Sequence, residues 1–381
     1  MGHIEIVIGA NFGDEGKGLV TCALSKQYRF YQRTLNILYN GGCQRGHTAQ
    51  NHVFHCFGSG TLMGADTYYD KEFLVDPIGW DIERHQLGIK GQVYAHPDCT
   101  IVTPYDIAIN QAIETKRGNS RHGSCGMGIF ETTLRNKEFP IYLKDCKTAT
   151  HLYEKLQEVY HKYLPKRLTK LGISAIPFVD LNPFISAATK CYDYCFFDTY
   201  NRAILKSYSN LIFEGGQGLL LDKDNTKYFP HLTPSHTGSK RPYEILKEID
   251  KLNEEIIVNY VTRPYMTRHG AGPFATECSK EDINPAIIDR TNLPNPHQGT
   301  LRFGFMDLSL LTESIKKDFA VWKDCPDANI RLCLTQTNYS DGAKFIISEN
   351  RYESVLAFAL KLKNEEKLPI YTPRYFNSEL I

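Results

Sequence analysis

The feature that most constrains the fold is a short β-branched run at the N-terminus that ends in a glycine-rich loop. Residues 4–9 have the pattern of a buried strand, and the loop of residues 10–18 follows. A helix is predicted from about residue 18 to residue 27, and a second β run at 35–39 ends in another glycine loop. Because strand, helix and strand alternate, the sequence predicts an α/β fold. We expect a mostly parallel central sheet, flanking helices and long active-site loops beyond the strand ends.

The rest of the chain extends this pattern without an internal repeat or a low-complexity linker. An amphipathic helix is predicted at 149–164, which Pro165 should end or kink, and a late helix at 353–363. We interpret residues 1–381 as a single domain. Further strands are predicted at 94–95, 100–102, 174–179, 211–213 and 256–261.

The charge balance excludes several classes of protein. The 381 residues carry 44 Lys and Arg against 43 Asp and Glu, a net charge of +1, which argues against a protein built to bind nucleic acid or anionic membrane. No apolar run is long enough for a membrane span, and the first residues lack a secretory pattern. The 11 cysteines include no Cys-x-x-Cys pair, which favours reduced thiols. We therefore expect a cytoplasmic protein.

The loop after the first strand has the composition of a phosphate-binding loop but not its ordinary pattern. Lys17 could neutralise phosphate, and the start of a helix favours anions. The ordinary pattern fails because Asn11 stands at a glycine position and Gly18 replaces the serine or threonine that holds magnesium. Asp14 and Glu15 would repel phosphate unless one binds Mg²⁺ or acts as a base. The alternative is a glycine turn with a solvated acidic pair.

The loop after the second strand contains a histidine between glycines. His47 could act as a general acid or stabilise an oxyanion. Taken alone, such a histidine is more often a structural residue of its loop.

The two loops together resemble the adenylosuccinate synthetase family. The resemblance rests first on Gly-Asp-Glu-Gly-Lys-Gly at 13–18 and Gly-Gly-x-x-x-Gly-His-Thr at 41–48. It covers about residues 4–340. Three later segments agree with it: Phe-Glu-Gly-Gly-Gln-Gly-Leu-Leu-Leu-Asp at 213–222, Thr-Arg-His-Gly-Ala-Gly-Pro-Phe-Ala-Thr-Glu at 267–277, and Leu-Arg-Phe-Gly-Phe-Met-Asp-Leu at 301–308.

The resemblance implies a homodimeric ligase with a fold like that of phosphate-loop NTPases, which joins L-aspartate to the 6-position of a purine nucleotide. It implies that Asp14 removes the N1 proton and binds Mg²⁺ together with the Gly46 carbonyl. It places His47 and Lys17 on the charge of the transferring phosphoryl group, and Gln217 on the purine nucleotide. Arg135 becomes a candidate for the arginine that reaches the neighbouring subunit's nucleotide.

The resemblance also implies two binding sets. Thr300 and Arg302 are expected to bind the substrate aspartate, and His297 lies in the same loop. The nucleotides and their phosphates are expected to contact Asn11, Gly13, Glu15, Gly16, Gly18, Gln44, Thr48, Ser124, Cys125, Thr233, Gln336 and Asn338.

Several departures from the family pattern resemble its phage branch. Asn338 stands where the family has a guanine-reading aspartate, and an amide suits adenine, so ATP or dATP is expected as the donor. Gln44 and Arg45 replace an Asn-Ala pair, and Cys125 replaces a threonine. Phage members act on dGMP, which is therefore favoured as the acceptor. Because Asp14 is retained, IMP stays the alternative.

Two other functions are compatible with parts of the sequence. One is a nucleotide-binding homologue that has lost catalysis, and the other is a phosphate-loop NTPase without a ligase reaction. The presence of Asp14, Lys17, His47 and Gln217 together argues against the first, and Gly18 argues against the second.

Overall fold

A computed structural model describes residues 2–30, 32–88, 91–120, 122–199, 202–288, 292, 298–336, 345–347, 350–352 and 374–376. Its strands are β1 His3–Gly9, β2 Thr34–Leu38, β3 His47–Ala49, β4 His52–Phe54, β5 Asp66–Tyr69, β6 Val93–Ala95, β7 Phe196–Phe197, β8 Asn210–Gly218, β9 Ile256–Thr262, β10 Met266–Arg268, β11 Glu277–Cys278, β12 Arg302–Gly304, β13 Ala328–Thr335, β14 Phe345–Ile347, β15 Asn350–Tyr352 and β16 Arg374–Phe376.

Helices alternate with these strands along most of the chain. They are α1 Lys17–Tyr28, α2 Pro77–Leu87, α3 Pro104–Arg117, α4 Ile129–Asn136, α5 Ala149–Glu158, α6 Leu164–Leu171, α7 Asn182–Tyr194, α8 Ala203–Ser207, α9 Lys240–Glu248, α10 Lys280–Ile283 and α11 Leu308–Phe319.

The central sheet contains nine strands in the order β16-β13-β9-β1-β8-β2-β5-β6-β7. Every neighbouring pair in this sheet is parallel, so the predicted α/β architecture is confirmed. Strand β1 lies between β8 and β9, and Ile6 pairs in register with Phe213 on one side and Val258 on the other. A central parallel strand is covered on both faces, which explains why residues 4–9 are almost uniformly apolar.

Most of the predicted elements correspond to observed ones. Helix α1 matches the helix predicted at 18–27, and β2, β6, β8 and β9 match four of the predicted strands. The helix predicted at 353–363 lies outside the described residues.

Two predicted strands are wrong. Residues 174–179 have no regular secondary structure, pair with no strand within the described chain and are mostly exposed. Residues 100–102 contribute only isolated bridges, in which Ile101 faces Val75 and Thr100 faces Tyr142. Both segments have β-branched residues, yet a strand forms only where a neighbour offers a ladder of backbone partners.

The helix predicted at 149–164 does not end at Pro165. A π-helical turn, Val159–Tyr163, separates α5 from α6, and Pro165 lies in the first turn of α6. A proline in a first turn lacks only an N–H that would have no helical partner. The helical segment therefore continues to Leu171.

Helix α1 positions the loop that precedes it. Leu19, Val20 and Leu24 of α1 pack on Val7 of β1 and Ile212 of β8. Because α1 lies on the sheet face, the chain must turn sharply between the carboxyl end of β1 and the first helical residue. That turn is the glycine-rich loop of residues 10–16.

Candidate active site

Five neighbouring strands carry the predicted site loops at one edge of the sheet. They are β13, β9, β1, β8 and β2, which are consecutive in the sheet order. Their carboxyl ends lead into Gln336, Arg263, the 10–16 loop, Gln217 and the 40–46 loop. Adjacent strands are about 5 Å apart, so loops that are distant in sequence meet at this edge.

The loop after β1 is built from left-handed backbone. Gly13, Asp14 and Gly16 have φ of 109°, 64° and 92°, and Gly16 is the N-cap of α1. Glycine adopts this conformation without strain, and aspartate tolerates it better than most residues. At Gly18 a side chain would lie 2.8 Å from Cβ of His47, so this glycine lets α1 approach the His47 loop.

The Glu15 carboxylate lies inside the loop, where the sequence predicts phosphate. Its Oε1 accepts hydrogen bonds from the backbone N–H groups of Asn11, at 3.0 Å, and Gly13, at 2.7 Å. Its Oε2 accepts one from Nζ of Lys17 at 3.1 Å, and both of these side chains are buried. A phosphoryl group that used these three donors would have to displace Glu15.

Asp14 projects to the other side of the loop and is held by the segment after β9. Nη2 of Arg263 lies 2.5 Å from Oδ2 of Asp14. Nδ2 of Asn292 donates to the same oxygen at 3.0 Å. The structure therefore joins the loops after β1 and β9 through this carboxylate.

His47 belongs to a buried polar cluster with Glu214 and Arg45. Its Nδ1 lies 2.6 Å from Oε1 of Glu214, and Nη2 of Arg45 lies 2.7 Å from that oxygen. The Ser59 hydroxyl also donates to Oε1, and the Ser59 N–H donates to Oε2 at 2.9 Å. Three donors thus converge on one carboxylate oxygen.

The electrostatics of this cluster favour a neutral histidine beside an ionised carboxylate. Burial, reinforced by the positive charge of Arg45, lowers the pKa of His47 to about 3. Burial raises the pKa of Glu214, but Arg45 and the hydrogen bond with His47 outweigh it and hold that pKa well below its usual range. Because an ionised carboxylate only accepts hydrogen bonds, Nδ1 of His47 carries the proton and Nε2 the lone pair.

The loop at 123–128 approaches the loop that follows β10. A side chain at Gly123 would lie 2.3 Å from the backbone nitrogen of Ala271, so the two loops are in close contact. The Ser124 hydroxyl donates to Oδ1 of Asn110 at 3.0 Å. Burial raises the pKa of the Cys125 thiol. The pair predicted to bind phosphate therefore offers a hydroxyl and a neutral thiol.

Arg302 is held by groups of its own chain. Its Nε donates to Oε1 of Glu277 at 2.7 Å, and its Nη1 donates to the carbonyl oxygens of Gly270 and Gly272 at 3.1 and 2.9 Å. Thr300 is exposed in the turn before β12. Any substrate carboxylate that binds Arg302 would compete with Glu277.

The remaining predicted residues occupy several loops. The amide atoms of Gln44 are buried and find no hydrogen-bond partner within the described chain. Thr48 lies on β3, Gly46 is exposed, and Gln217 has φ of 64°. Thr233 lies beyond β8, where its backbone N–H donates to the carbonyl of Leu221 at 2.9 Å. Gln336, with φ of 55°, follows β13, whereas Asn338 and His297 lie outside the described residues.

Arg135 is not an interface residue, and this prediction is wrong. Its side chain is 0% exposed in its own subunit. The guanidinium donates to both carboxylate oxygens of Asp106 at 3.1 Å and to the carbonyls of Ile101 and Phe139 at 2.7 Å. These four bonds fix α4 to the start of α3, so the arginine has a structural role within the subunit.

Sequence reasoning assigned no role to three groups at the site: Glu214, Arg45 and Arg263. A signal existed for Glu214, since this charged residue directly follows the apolar run at 211–213 and precedes the glycine loop. A buried carboxylate at a strand end is a candidate functional group. Arg45 was noted only as a departure from a family pattern, and nothing local marks Arg263.

The donor atoms present suit magnesium. Mg²⁺ prefers hard oxygen ligands, which the Asp14 carboxylate and the Gly46 carbonyl provide. Within the described residues, the partners of the Asp14 carboxylate are Arg263 and Asn292, and both bind Oδ2.

The chain is similar in sequence to known adenylosuccinate synthetases. The family model for adenylosuccinate synthetase matches residues 6–320. The adenylosuccinate synthetase of Acinetobacter baylyi is 28% identical over 394 aligned residues, which cover 93% of this chain and 82% of that protein. The Azotobacter vinelandii enzyme is 26% identical over 373 residues, covering 91% and 80%.

Two solved structures share the fold. Fully ligated adenylosuccinate synthetase from Plasmodium falciparum has a TM-score of 0.70 at 19% identity, covering 90% of this chain and 78% of that one. The cyanophage S-2L succinoaminodeoxyadenylate synthetase PurZ, solved with dGMP and dATP, has a TM-score of 0.59 at 11% identity, covering 98% of this chain and 92% of that one.

No helix in the described ranges has the length and apolar character to cross a membrane. The chain belongs to the adenylosuccinate synthetase family, and it is a carbon–nitrogen ligase that joins aspartate to a purine nucleotide.

Proposed function

We propose that this ligase converts dGMP to its N6-succino-2-aminoadenine nucleotide with ATP or dATP as phosphoryl donor and L-aspartate as nitrogen donor. The observation that carries the proposal is the placement of Asp14, Lys17, His47 and Gln217 at or just beyond the carboxyl ends of three neighbouring strands, β1, β2 and β8. These strands bring an acid–base group, a cation and a buried histidine to one edge of the sheet.

The first step activates the 6-oxygen of the purine. Oδ1 of Asp14 takes the proton from N1, and the 6-oxygen attacks the γ-phosphorus of the donor, so the bond from that phosphorus to its bridging oxygen breaks and ADP or dADP leaves. Lys17 offsets phosphate charge once it exchanges Glu15 for the phosphoryl group. His47 faces the developing charge through Nε2, and an anionic phosphoryl group there favours a proton on that nitrogen.

The second step forms the carbon–nitrogen bond. The aspartate amine attacks C6 and the bond from C6 to the phosphorylated oxygen breaks, so inorganic phosphate leaves and the amine loses a proton. Arg302 would hold a carboxylate of the incoming aspartate, with Thr300 beside it. The guanidinium already holds the Glu277 carboxylate through two nitrogens, a geometry that suits another carboxylate.

Magnesium would be held by Asp14 and the carbonyl of Gly46, and when bound it supplies Lewis-acid stabilisation of phosphate charge. The nucleotides would contact the remaining predicted residues, including Gln44, whose buried amide lacks a partner in the described chain.

We further propose a cytoplasmic homodimer in which each chain is one domain.

The base of the acceptor must fit the Asp14 carboxylate, which this chain retains. Guanine differs from hypoxanthine by a 2-amino group beside N1, and that group needs an acceptor. Oδ2 of Asp14 already takes bonds from Arg263 and Asn292, whereas Oδ1 accepts no hydrogen bond from the described residues. A carboxylate oxygen can accept from both N1–H and the 2-amino group. IMP would use the same oxygen through N1 alone, and it is the second candidate acceptor.

A substrate matrix tests the proposal. Purified enzyme with Mg²⁺ and aspartate is assayed with dGMP, GMP, IMP and dIMP against ATP, dATP and GTP, with phosphate release and product mass as readouts. We expect the highest kcat/KM with dGMP and an adenine donor. A preference for IMP would assign the enzyme to ordinary AMP synthesis, and phosphate release without aspartate would contradict the ligase chemistry.

A further inference from the structure

One guanidinium holds both the backbone and the side chain of Asp14. Nε of Arg263 donates to the Asp14 carbonyl oxygen at 2.7 Å, while its Nη2 donates to Oδ2 at 2.5 Å. The two bonds come from neighbouring nitrogens of a rigid planar group. They therefore fix the carboxylate relative to the peptide that carries it.

Arg263 is itself firmly anchored. Its third nitrogen, Nη1, donates to the Tyr265 hydroxyl at 3.2 Å, and the guanidinium carbon lies 5.6 Å from the centre of that ring. The residue is 6% exposed. It follows β9 directly, and Nδ2 of Asn11 donates to Oγ1 of Thr262 at 2.9 Å, which ties the two loops together beside the clamp.

Asp14 needs such an anchor because its backbone is in the left-handed region. Its φ is 64°, between glycines at 109° and 92°. For a residue with a Cβ this conformation costs on the order of 1 kcal/mol, and it persists only where the surroundings impose it. A return to negative φ would turn the carboxylate away from its present direction.

We propose that Arg263 is the positioning residue for Asp14: it clamps the carbonyl and Oδ2 so that Oδ1 is directed at the nucleotide and the metal. This inference rests on the proposed function, which makes Asp14 the base and a metal ligand. A lysine at 263 would keep the charge but could not reach both oxygens with fixed geometry. The Arg263→Lys variant therefore separates positioning from charge.

The test is a double-mutant cycle of Arg263→Lys and Asp14→Gly with two readouts, kcat and the urea midpoint of unfolding. We expect Arg263→Lys to lower kcat at least about tenfold while the KM values change less than about threefold, since misplacement affects the transition state most. In the Asp14→Gly protein the same substitution should not lower kcat further, and it should lower the midpoint less than in the wild type, because the carboxylate is gone and only the bond to the backbone carbonyl remains. Arg331→Lys is the matched control, since Arg331 is a buried arginine that pairs with Glu5 on β1 and not with a site loop. It should lower the midpoint, leave kcat unchanged and act additively with Asp14→Gly.

The two readouts distinguish this inference from the proposed function. The decisive comparison is the effect of Arg263→Lys with and without the Asp14 carboxylate. If kcat falls by the same factor in both, or the urea midpoint falls by the same amount in both, Arg263 does not act through Asp14 and the inference is overturned. If Asp14→Gly keeps wild-type kcat, the proposed role of Asp14 is wrong. In that case the midpoint cycle still decides whether the clamp exists.

Discussion

Nδ1 of His47 lies 2.6 Å from Oε1 of Glu214, and the two residues are 167 positions apart in the chain. Strand β8 lies beside β2, and Glu214 pairs with Leu38, the last residue of β2, so the carboxylate lies next to the loop that follows β2. Arg45 shares the same oxygen at 2.7 Å. The histidine is therefore oriented by a carboxylate whose charge is already compensated, which keeps the imidazole neutral in the free enzyme.

Glu214→Gln should destabilise the protein and impair catalysis. It leaves the Arg45 charge buried without a counter-ion, and loss of one partner of a buried pair costs about 3–5 kcal/mol. Urea unfolding measures this loss. Glu277→Gln is the matched control, because Glu277 also pairs with an arginine but its side chain is 44% exposed. This substitution should lower the free energy of unfolding by no more than about 1 kcal/mol. Equal losses of unfolding free energy in the two variants would show that the buried Glu214 cluster adds no more stability than an exposed ion pair.

The stability of the protein should fall as the pH is lowered from about 6.5 towards the native pKa of His47. The pKa of His47 is lowered from about 6.5 in the unfolded chain to about 3 in the native state. Below pH 6.5 the unfolded chain therefore binds a proton that the native state does not, and stability is lost. The loss between neutral pH and pH 5 is on the order of 2 kcal/mol.

His47→Gln isolates this contribution, because a glutamine does not titrate. The difference in unfolding free energy between wild type and variant should become smaller from pH 7 to pH 5. Glu214, whose native pKa is depressed, adds its own loss only at lower pH. A difference that stays constant between pH 7 and pH 5 would show that His47 titrates normally in the folded protein.

Substitutions at Asp14 should separate chemistry from folding. Asp14→Asn removes the base and should lower kcat at least about 10²-fold, the scale for a positioned acid–base group. Asp14→Gly should lose activity similarly, yet it should fold at least as well as Asp14→Ala, because only glycine accepts φ of 64° without strain. Steady-state kinetics and thermal unfolding measure the two effects. More than half of wild-type turnover in Asp14→Asn would remove the residue from the mechanism.

Arg302→Leu should raise the KM for aspartate far more than the KM for either nucleotide. A substrate carboxylate that loses its desolvated cation forfeits about 2–5 kcal/mol of binding. Initial-rate kinetics with each substrate varied in turn measure the effect. An unchanged aspartate KM would show that Arg302 only holds Glu277 and the loop carbonyls of Gly270 and Gly272.

Much of the fold could be predicted from the sequence because its signals are local. The apolar run of β1, the glycines at the strand ends and the alternation of elements need only neighbouring residues. The failures come from partners that are distant in sequence. Residues 174–179 have the composition of a strand, but no neighbour in the described chain pairs with them. Arg135 was a candidate to reach the neighbouring subunit, but Asp106 and two backbone carbonyls of its own chain hold its guanidinium.

The site shows the same division. Local spacing in the sequence points to the residues of the glycine loops, but it does not predict the partners that these residues have in the structure. Glu15 inside the phosphate loop and Arg263 on Asp14 depend on backbone direction and on strand order. Neither property is encoded in a short stretch of sequence.

The choice of phosphoryl donor should follow from the segment at the end of β13. This strand leads through Thr335 and Gln336 to Asn338, and the Thr335 hydroxyl donates to the Glu15 carbonyl, which places the strand end against the phosphate loop. Asn338 itself lies outside the described residues. An amide at that position can donate to adenine N1 and accept from its 6-amino group, whereas guanine would leave one proton facing an NH₂ donor.

ATP or dATP should therefore exceed GTP in kcat/KM by at least about tenfold, since an unpaired buried polar group costs roughly 1–3 kcal/mol. Asn338→Asp should narrow or reverse this preference, because a carboxylate accepts from both N1–H and the 2-amino group of guanine. Gln336→Ala is the neighbouring control, and it should weaken both donors without changing their ratio if that side chain only covers the base. Comparable use of GTP and ATP by the wild-type enzyme would show that Asn338 does not read the donor base.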